Sequence, residues 1–396
     1  MTAAELARLA AVSPDRVERL ASLGILTPTD GSFRPSDIQR IRLVDAFEGA
    51  GVSAETLARA IAAGLRSLDG FDVGFPSPPA SSGPTLAQLC AELGHDVAEA
   101  EATFAALALP VPSPDSELRE DDAEAIADIL ALYDLRPLGL DENLAPRMAR
   151  IYGDGARRAA EASVHLWDEA VETRLNALDP SGALAERRIA ARAALSAGLE
   201  RSLVWLHRRH TEHQTLGVIV ENTERALERA GLAEPRRAQP AIAFVDLTGS
   251  TTLTEERGDE AAGELAATLG GLVDEILHRR RGKTVKHLGD GVMLHFPGAG
   301  DATAAALELV QRAPEAGLPQ ARVGIEAGRL VFRDGDYYGR TVITAARITD
   351  YARPGEVLVS EAAAAEIGDE AVLEPLGPVR LRGLREPVAL SRARRP

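Results

Sequence analysis

Asp246 and Asp290 are the residues whose surroundings best suit them to chemistry. Asp246 closes the apolar run AIAFVD at 241–246, and Thr248, Gly249, Ser250 and Thr251 follow it. A carboxylate ending a buried strand can hold a cation. The loop after it can offer backbone N–H groups and hydroxyls to a phosphate. Taken singly, an Asp ending a strand before a Gly turn is more often a helix cap than a ligand. A second stretch repeats it: in KTVKHLGDGVMLHF, strand-like runs at 283–288 and 292–296 flank Gly289-Asp290-Gly291. That is a hairpin signature with Asp290 at its tip. Two such aspartates beside a phosphate-cradling loop suggest a two-metal nucleotide site. A third stretch, DYYGRTVITAARI at 336–348, adds Asp336 and Arg347.

In order and content these motifs resemble the catalytic core of the class III nucleotidyl cyclases, over residues 241–392. The resemblance implies an α+β cyclase domain, an antiparallel sheet flanked by helices. FVDLTGST matches the first metal motif, with Asp246 and Leu247 as ligands; KHLGDG matches the second, with Asp290. The site is then expected to take two Mg²⁺ or Mn²⁺ ions. Lys286 holds the family's position for reading adenine N1, and Asp336 that for accepting from the adenine amino group. A Lys–Asp pair complements adenine, whereas guanine inverts the donor and acceptor, so the implied substrate is ATP. Thr248, Gly249, Ser250 and Thr251 fall on the phosphate side, and Arg347 matches the arginine that stabilises transition-state charge. The implied reaction is cyclisation of ATP to 3′,5′-cyclic AMP and pyrophosphate. The implied assembly is a head-to-tail homodimer. In it Asp246 and Asp290 come from one chain, and Lys286, Asp336 and Arg347 from its partner.

One position departs from the family. Ile343 stands where the family carries an asparagine that orients the ribose or α-phosphate. Isoleucine has no hydrogen-bonding group, and losing one positioning donor costs on the order of 10²-fold in rate. A slow cyclase is expected, unless the neighbouring Thr344 substitutes.

Several elements must position this core. Strand 241–246, a helix at about 257–280, the 283–296 hairpin and a helix at 301–312 come first. A strand at 321–332, a helix at 341–352, a strand at 356–360 and a C-terminal hairpin follow. Ahead of them an all-α regulatory region is expected. A helical domain at 1–69 has Ser13, Ser36 and Ser53 as caps, with Gly24 and Gly51 as stops. A Pro/Gly/Ser-rich linker at 70–84 leads to a second small helical domain at 85–140, whose opening TLAQL suggests a degenerate duplication.

 The Thr85–Leu89 segment echoes Ala3–Leu9. Residues 141–235 form a long-helix bundle or transducer, with helices at about 144–177 and 181–231 and a kink near Gly217. The cyclase core then occupies 236–396.

The first segment, ELARLAAVSPDRVERLASLGIL through FRPSDIQRIRLV, resembles the winged helix-turn-helix of the MerR family, which would place its second helix in the major groove. Its charges are balanced, with Arg16 and Arg19 alternating with Asp15 and Glu18, whereas a DNA reader shows a basic face. The alternative function is a transcription regulator with a DNA-binding head and a weakened, nucleotide-sensing cyclase fold. The layout also resembles the mycobacterial pH-sensing branch of the cyclase family. That likeness draws attention to His207, His210 and His213 in WLHRRHTEHQ, since histidine titrates near neutral pH. A solvated polar face is the simpler role for them, and their i, i+3, i+6 spacing drifts around a helix, which disfavours a metal site.

Bulk properties bound the rest. The 396 residues exceed one ordinary core, and 45% apolar content allows real cores to form. Sixty acidic against 44 basic residues give a net charge of −16, which argues against DNA and against anionic membrane surfaces. Neither a membrane span nor a signal peptide is expected. The single cysteine, Cys90, fits a reducing cytoplasm and a small core residue. Trp167 and Trp205 occupy core-like helix positions, and His287 alternates away from Lys286 into packing.

Overall fold

The structure is a computed structural model that describes residues 1–10, 12–64, 82–115, 117–138, 143–174, 185–232 and 239–396. Most of the expected 70–84 linker, the Pro180-Ser181-Gly182 break and most of the 231–240 connector lie outside the described residues. The chain divides into two compact units, Met1–Ile219 and Val220–Pro396.

In the first unit four short helices, α1 (Ala3–Leu9), α2 (Pro14–Ser22), α3 (Asp37–Gly49) and α4 (Ala54–Ala62), enclose an apolar cluster around Leu6, Leu20, Ile41 and Val44. Ser13 and Ser53 cap α2 and α4 by accepting the N–H groups of Arg16 and Thr56. Ser36 departs from expectation: it precedes α3 in a helical conformation and makes no capping bond. The Asp37 carboxylate instead accepts the Arg34 N–H at 2.8 Å and pairs with Arg40 inside the fold.

A second cluster, around Leu86, Cys90, Phe104 and Leu130, is built by α5 (Leu86–Leu93), α6 (Val97–Ala106) and α7 (Glu120–Leu130). The region is not purely helical: β1 (Ser82–Thr85) pairs antiparallel with β2 (Glu117–Arg119). β1 (SGPT) has no alternation, and the polar-apolar-polar alternation of β2 spans only three residues, too short for a strand signal in the sequence. Thr85 opens α5 with a capping box to Gln88, as Thr2 opens α1 with one to Glu5. Two long helices follow, α8 (Leu144–Trp167) and α9 (Ala185–Arg229). Helix α9 runs unbroken through Gly217. Trp205 is 57% exposed on it, in contrast to its expected core position, and Leu203, Leu206, Leu216 and Ile219 are exposed with it.

The second unit is an α+β domain. Its strands are β3 (Ala241–Leu247), β4 (Lys283–His287), β5 (Gly291–Phe296), β6 (Ala321–Ala327), β7 (Val331–Arg333), β8 (Asp336–Tyr338), β9 (Val357–Ser360), β10 (Val372–Val379) and β11 (Val388–Arg394). Seven of them form one sheet in the order β10-β11-β9-β6-β3-β5-β4. The β6–β9 pair is parallel and the other neighbours antiparallel, so the sheet is mixed.

The intervening helices are α10 (Ser250–Arg257), α11 (Asp259–His278), α12 (Ala299–Glu315), α13 (Arg340–Tyr351) and α14 (Glu361–Ala364). The main core unites apolar residues of β3, β5, β6 and β9 with Leu269, Val273 and Ile276 of α11 and Ala302, Ala306 and Leu309 of α12. A smaller cluster joins Ile242 and Met293 to Ala345 of α13. Strand β3 is therefore covered on both faces, which is why its sequence is an unbroken apolar run rather than an alternating one. Gly324 lets α13 lie against β6, because a Cβ there would collide with the Thr349 backbone. Thr349 also donates to the Phe244 carbonyl at 3.2 Å, tying α13 to β3.

Candidate active site

Antiparallel pairing fixes the two aspartates next to each other. In the β3–β5 register Asp246 faces Gly291, the residue after Asp290. The Leu247 N–H donates to the Asp290 carbonyl at 3.1 Å, and the Leu247 side chain is buried in the core. Gly291 is required at this crossing, since a Cβ would meet the Val245 carbonyl at 2.7 Å. Gly289, at φ +76°, supplies the left-handed turn that puts Asp290 at the tip.

Each carboxylate already has a protein partner. Ser250, first residue of α10, donates its hydroxyl to Asp290 Oδ2. Arg322 of β6 sits opposite Asp246 in register and grips Asp246 Oδ2 through Nε at 2.7 Å. The same guanidinium donates to the Asp350 carbonyl at 3.1 Å. Arg322 was not singled out from sequence. The sequence marks it only as a cation in the expected 321–332 strand, with nothing to place that strand beside Asp246.

The expected phosphate loop is a mixed outcome. Gly249 adopts φ +80°, and Ser250 lies beside Asp290 as above. Thr248 does not offer its donors outward: its N–H and hydroxyl both go to the Gln320 carbonyl, at 2.9 and 2.8 Å. Two donors on one carbonyl make Thr248 a brace for the loop. Thr251 is in α10, and its side chain lies outside the described residues.

Lys286 and Asp336, fifty residues apart, form an ion pair. A register shift between Thr284 and Lys286 breaks the regular alternation of β4. Asp336 opens β8, which pairs with β7 through an Asp334-Gly335 turn, both residues at positive φ. The second Asp336 oxygen accepts the Tyr337 N–H at 2.8 Å. Tyr337 in turn stacks on His295 of β5, with centroids 4.6 Å apart and planes 6° from parallel, and Lys283 lies 5.4 Å from the Tyr337 centroid. Burial, then the nearby Lys283 charge, push His295 down to about 4, so the ring is neutral at pH 7. This aromatic floor beside the Lys–Asp pair was not legible from sequence. His287, expected to pack, is exposed.

On α13, Arg347 pairs with Asp350 at 2.8 Å, and Ile343, one turn earlier, is 54% exposed on the helix surface. Thr344 is 3% exposed and faces the interior, so it does not stand in for the family asparagine at Ile343. The three histidines on α9 are exposed, with the His207 ring 5.5 Å from that of Tyr152. Among the described residues no group of three His, Cys, Asp or Glu side chains is placed to hold a metal.

The adenylate and guanylate cyclase catalytic domain profile matches residues 233–390. A pH-sensitive adenylate cyclase of Mycobacterium tuberculosis (strain CDC 1551 / Oshkosh) is 32% identical over 299 residues, covering 72% of this chain and 71% of that one. The chain belongs to the class III adenylate/guanylate cyclases. A Streptomyces coelicolor adenylate cyclase is 32% identical over 246 residues, 61% of this class III chain and 62% of its own length. The crystal structure of the adenylyl cyclase CyaB from P. aeruginosa aligns over 40% of the chain and 95% of its own, with 23% identity and a TM-score of 0.37. Among the described residues, no helix of this cyclase is long and apolar enough to cross a membrane.

Proposed function

We propose that the protein is an adenylate cyclase, converting ATP to 3′,5′-cyclic AMP and pyrophosphate. The observation that carries this is the Lys286–Asp336 pair on the same domain as the neighbouring Asp246 and Asp290. Lys286 donates to adenine N1 and Asp336 accepts from the amino group, an arrangement guanine does not match. In the reaction the ribose 3′ oxygen bonds to the α-phosphorus, its proton leaves, and the bond to the pyrophosphate oxygen breaks.

Two carboxylates and a backbone carbonyl are hard oxygen donors and fit Mg²⁺ or Mn²⁺. Asp246, Asp290 and the Leu247 carbonyl would hold two such ions, which when bound supply Lewis-acid charge compensation and acidify the 3′ hydroxyl. Arg322, now on Asp246, is placed to turn its charge to the triphosphate. Arg347 donates to the phosphates as negative charge develops. Ile343 withholds a positioning donor, so turnover is slow. The site is completed between two chains, with the aspartates from one and Lys286, Asp336 and Arg347 from the other.

Residues 1–64 act in regulation through packing rather than as a MerR-like DNA reader. In support, Arg16 is paired with Asp45 and Glu48, and Arg19 with Glu55. Their charge is thus consumed inside the unit. Protonation of His207, His210 and His213 on α9, beside Arg208 and Arg209, would add like charge and give a pH response.

The test is a cyclic AMP assay on the full chain with Mg²⁺ or Mn²⁺ across pH. Product from ATP in preference to GTP is expected; no product at any pH overturns the proposal. Replacing all three histidines by Asn should flatten the pH profile, and an unchanged profile removes them as sensors.

A further inference from the structure

Three strands meet behind the Lys286–Asp336 pair. In the β4–β5 register Lys283 faces His295 and Lys286 faces Met293. Facing residues share a side of the sheet, and His295 and Met293 are two positions apart on β5, so both lysines project from the side that carries His295. Lys283 and Lys286 are three positions apart, and a regular strand would turn them to opposite sides. The register shift after Thr284 is what brings them to one side.

The third strand, β8, belongs to the β7–β8 hairpin, which forms a two-stranded sheet of its own. Val331, Phe332 and Arg333 of β7 are all exposed. A two-stranded hairpin has little stability alone, so its placement depends on what it leans on. Tyr337 is the residue of these two strands that packs against the Ile242, Met293 and Ala345 cluster, and its ring lies flat on His295. Phe332, its partner across the hairpin, meets the same ring at 5.0 Å between centroids, and the Lys283 ammonium lies 5.6 Å from the Phe332 centroid. Asp336 immediately precedes Tyr337, and both its carboxylate oxygens are engaged: Oδ2 by Lys286 and Oδ1 by the Tyr337 N–H. The backbone that aims Asp336 is therefore the backbone that His295 holds through Tyr337. Leucine or valine would fill the space at 295 at less cost than a buried imidazole. What the histidine adds is a plane to stack on.

We propose that His295 is a positioning residue for base recognition: stacked on Tyr337, it fixes the hairpin so that Asp336 keeps the aim at which it meets both Lys286 and the nucleotide base. The inference rests on the assignment of Lys286 and Asp336 to adenine. It adds that the choice between adenine and guanine depends on a residue that acts through Tyr337 and not on the base itself.

The experiment takes two readouts on the full chain. Hydrogen exchange over residues 331–338, followed by mass spectrometry without nucleotide, reads how firmly the hairpin is held. The ratio of ATP to GTP affinity, from competition against a fluorescent ATP analogue, reads base choice without requiring turnover. His295→Leu should speed the exchange and lower the affinity ratio, each by about 3–10-fold. His295→Phe keeps a stacking plane and should leave both within about twofold of the natural protein. Tyr337→Leu removes the other half of the stack; it should reproduce His295→Leu, and it decides the matter if that variant fails to fold. Unchanged exchange in the leucine variants overturns the inference, and so does His295→Phe behaving as His295→Leu. Faster exchange with an unchanged ratio also overturns it where Asp336→Ala lowers that ratio. If Asp336→Ala leaves the ratio unmoved as well, the base assignment itself is refuted and the inference falls with it.

Discussion

Arg322 holds Asp246, the carboxylate that ends the central strand, and through the Asp350 carbonyl it also reaches the last turn of the helix that carries Arg347. One guanidinium thus links the Asp246 end of the sheet to the helix bearing Arg347, the proposed transition-state arginine. Replacing it should weaken triphosphate binding while freeing Asp246 for metal. Arg322→Ala is expected to lower kcat/KM for ATP about 10–100-fold, and to lower the Mg²⁺ concentration for half-maximal rate. Steady-state kinetics at varied ATP and Mg²⁺ check both directions; a higher Mg²⁺ requirement contradicts the assignment.

Ile343 lies exposed one helical turn from Arg347, so a polar side chain there meets no packing obstacle. Ile343→Asn should therefore raise kcat, by up to about 10²-fold, with little change in stability. Single-turnover measurement of cyclic AMP formation tests this. A fall in rate would mean that the isoleucine has a role of its own.

Base choice should follow the Lys286–Asp336 pair. Removing either partner leaves the other with an unmatched charge and removes the discrimination it provides. In Lys286→Ala and in Asp336→Ala, the ratio of kcat/KM for ATP over GTP is expected to fall on the order of 10–100-fold. Parallel assays with both nucleotides read the ratio directly, and a ratio that does not move refutes the assigned roles.

His295 predicts a pH dependence of stability. Its folded value of about 4 lies below the ordinary 6.5, so below that value the unfolded chain binds a proton that the folded one refuses. Stability from this group is full above pH 6.5 and is lost as pH falls toward 4. The loss is up to about 3 kcal/mol. His295→Phe keeps a ring against Tyr337 and removes the proton. Its unfolding midpoint should fall less than that of the natural protein between pH 6.5 and 4.5, as followed by circular dichroism.

The order of elements in the cyclase unit was legible because its strands are apolar runs and its turns carry glycine. The AIAFVD run, the Gly-Asp-Gly tip and the serine caps at 13 and 53 each encode their local conformation in consecutive residues. Register and partner choice were not. A sequence shows Asp246, Lys286 and Arg322, but not that Arg322 of one strand lies opposite Asp246 of another. Nor does it show that Thr248 spends both its donors on Gln320. Those outcomes depend on pairing between distant segments, which local propensity does not specify. The exposure of Trp205 was missed for the same reason, since an apolar spacing fixes a helix face but not what covers it.

The sequence by itself determined which residues are available for chemistry: Asp246 and Asp290, Lys286, Arg347 on its helix, and an isoleucine at 343. Only the tertiary structure decided which of them meet. Seven strands in a fixed order bring Asp290 beside Asp246 and Arg322 onto the same carboxylate. Helix α13 turns Thr344 inward and Ile343 outward, a choice made by packing against β6 and β3. The physical reason is that hydrogen-bonded register and close packing are properties of pairs of segments, whereas residue type is a property of one position.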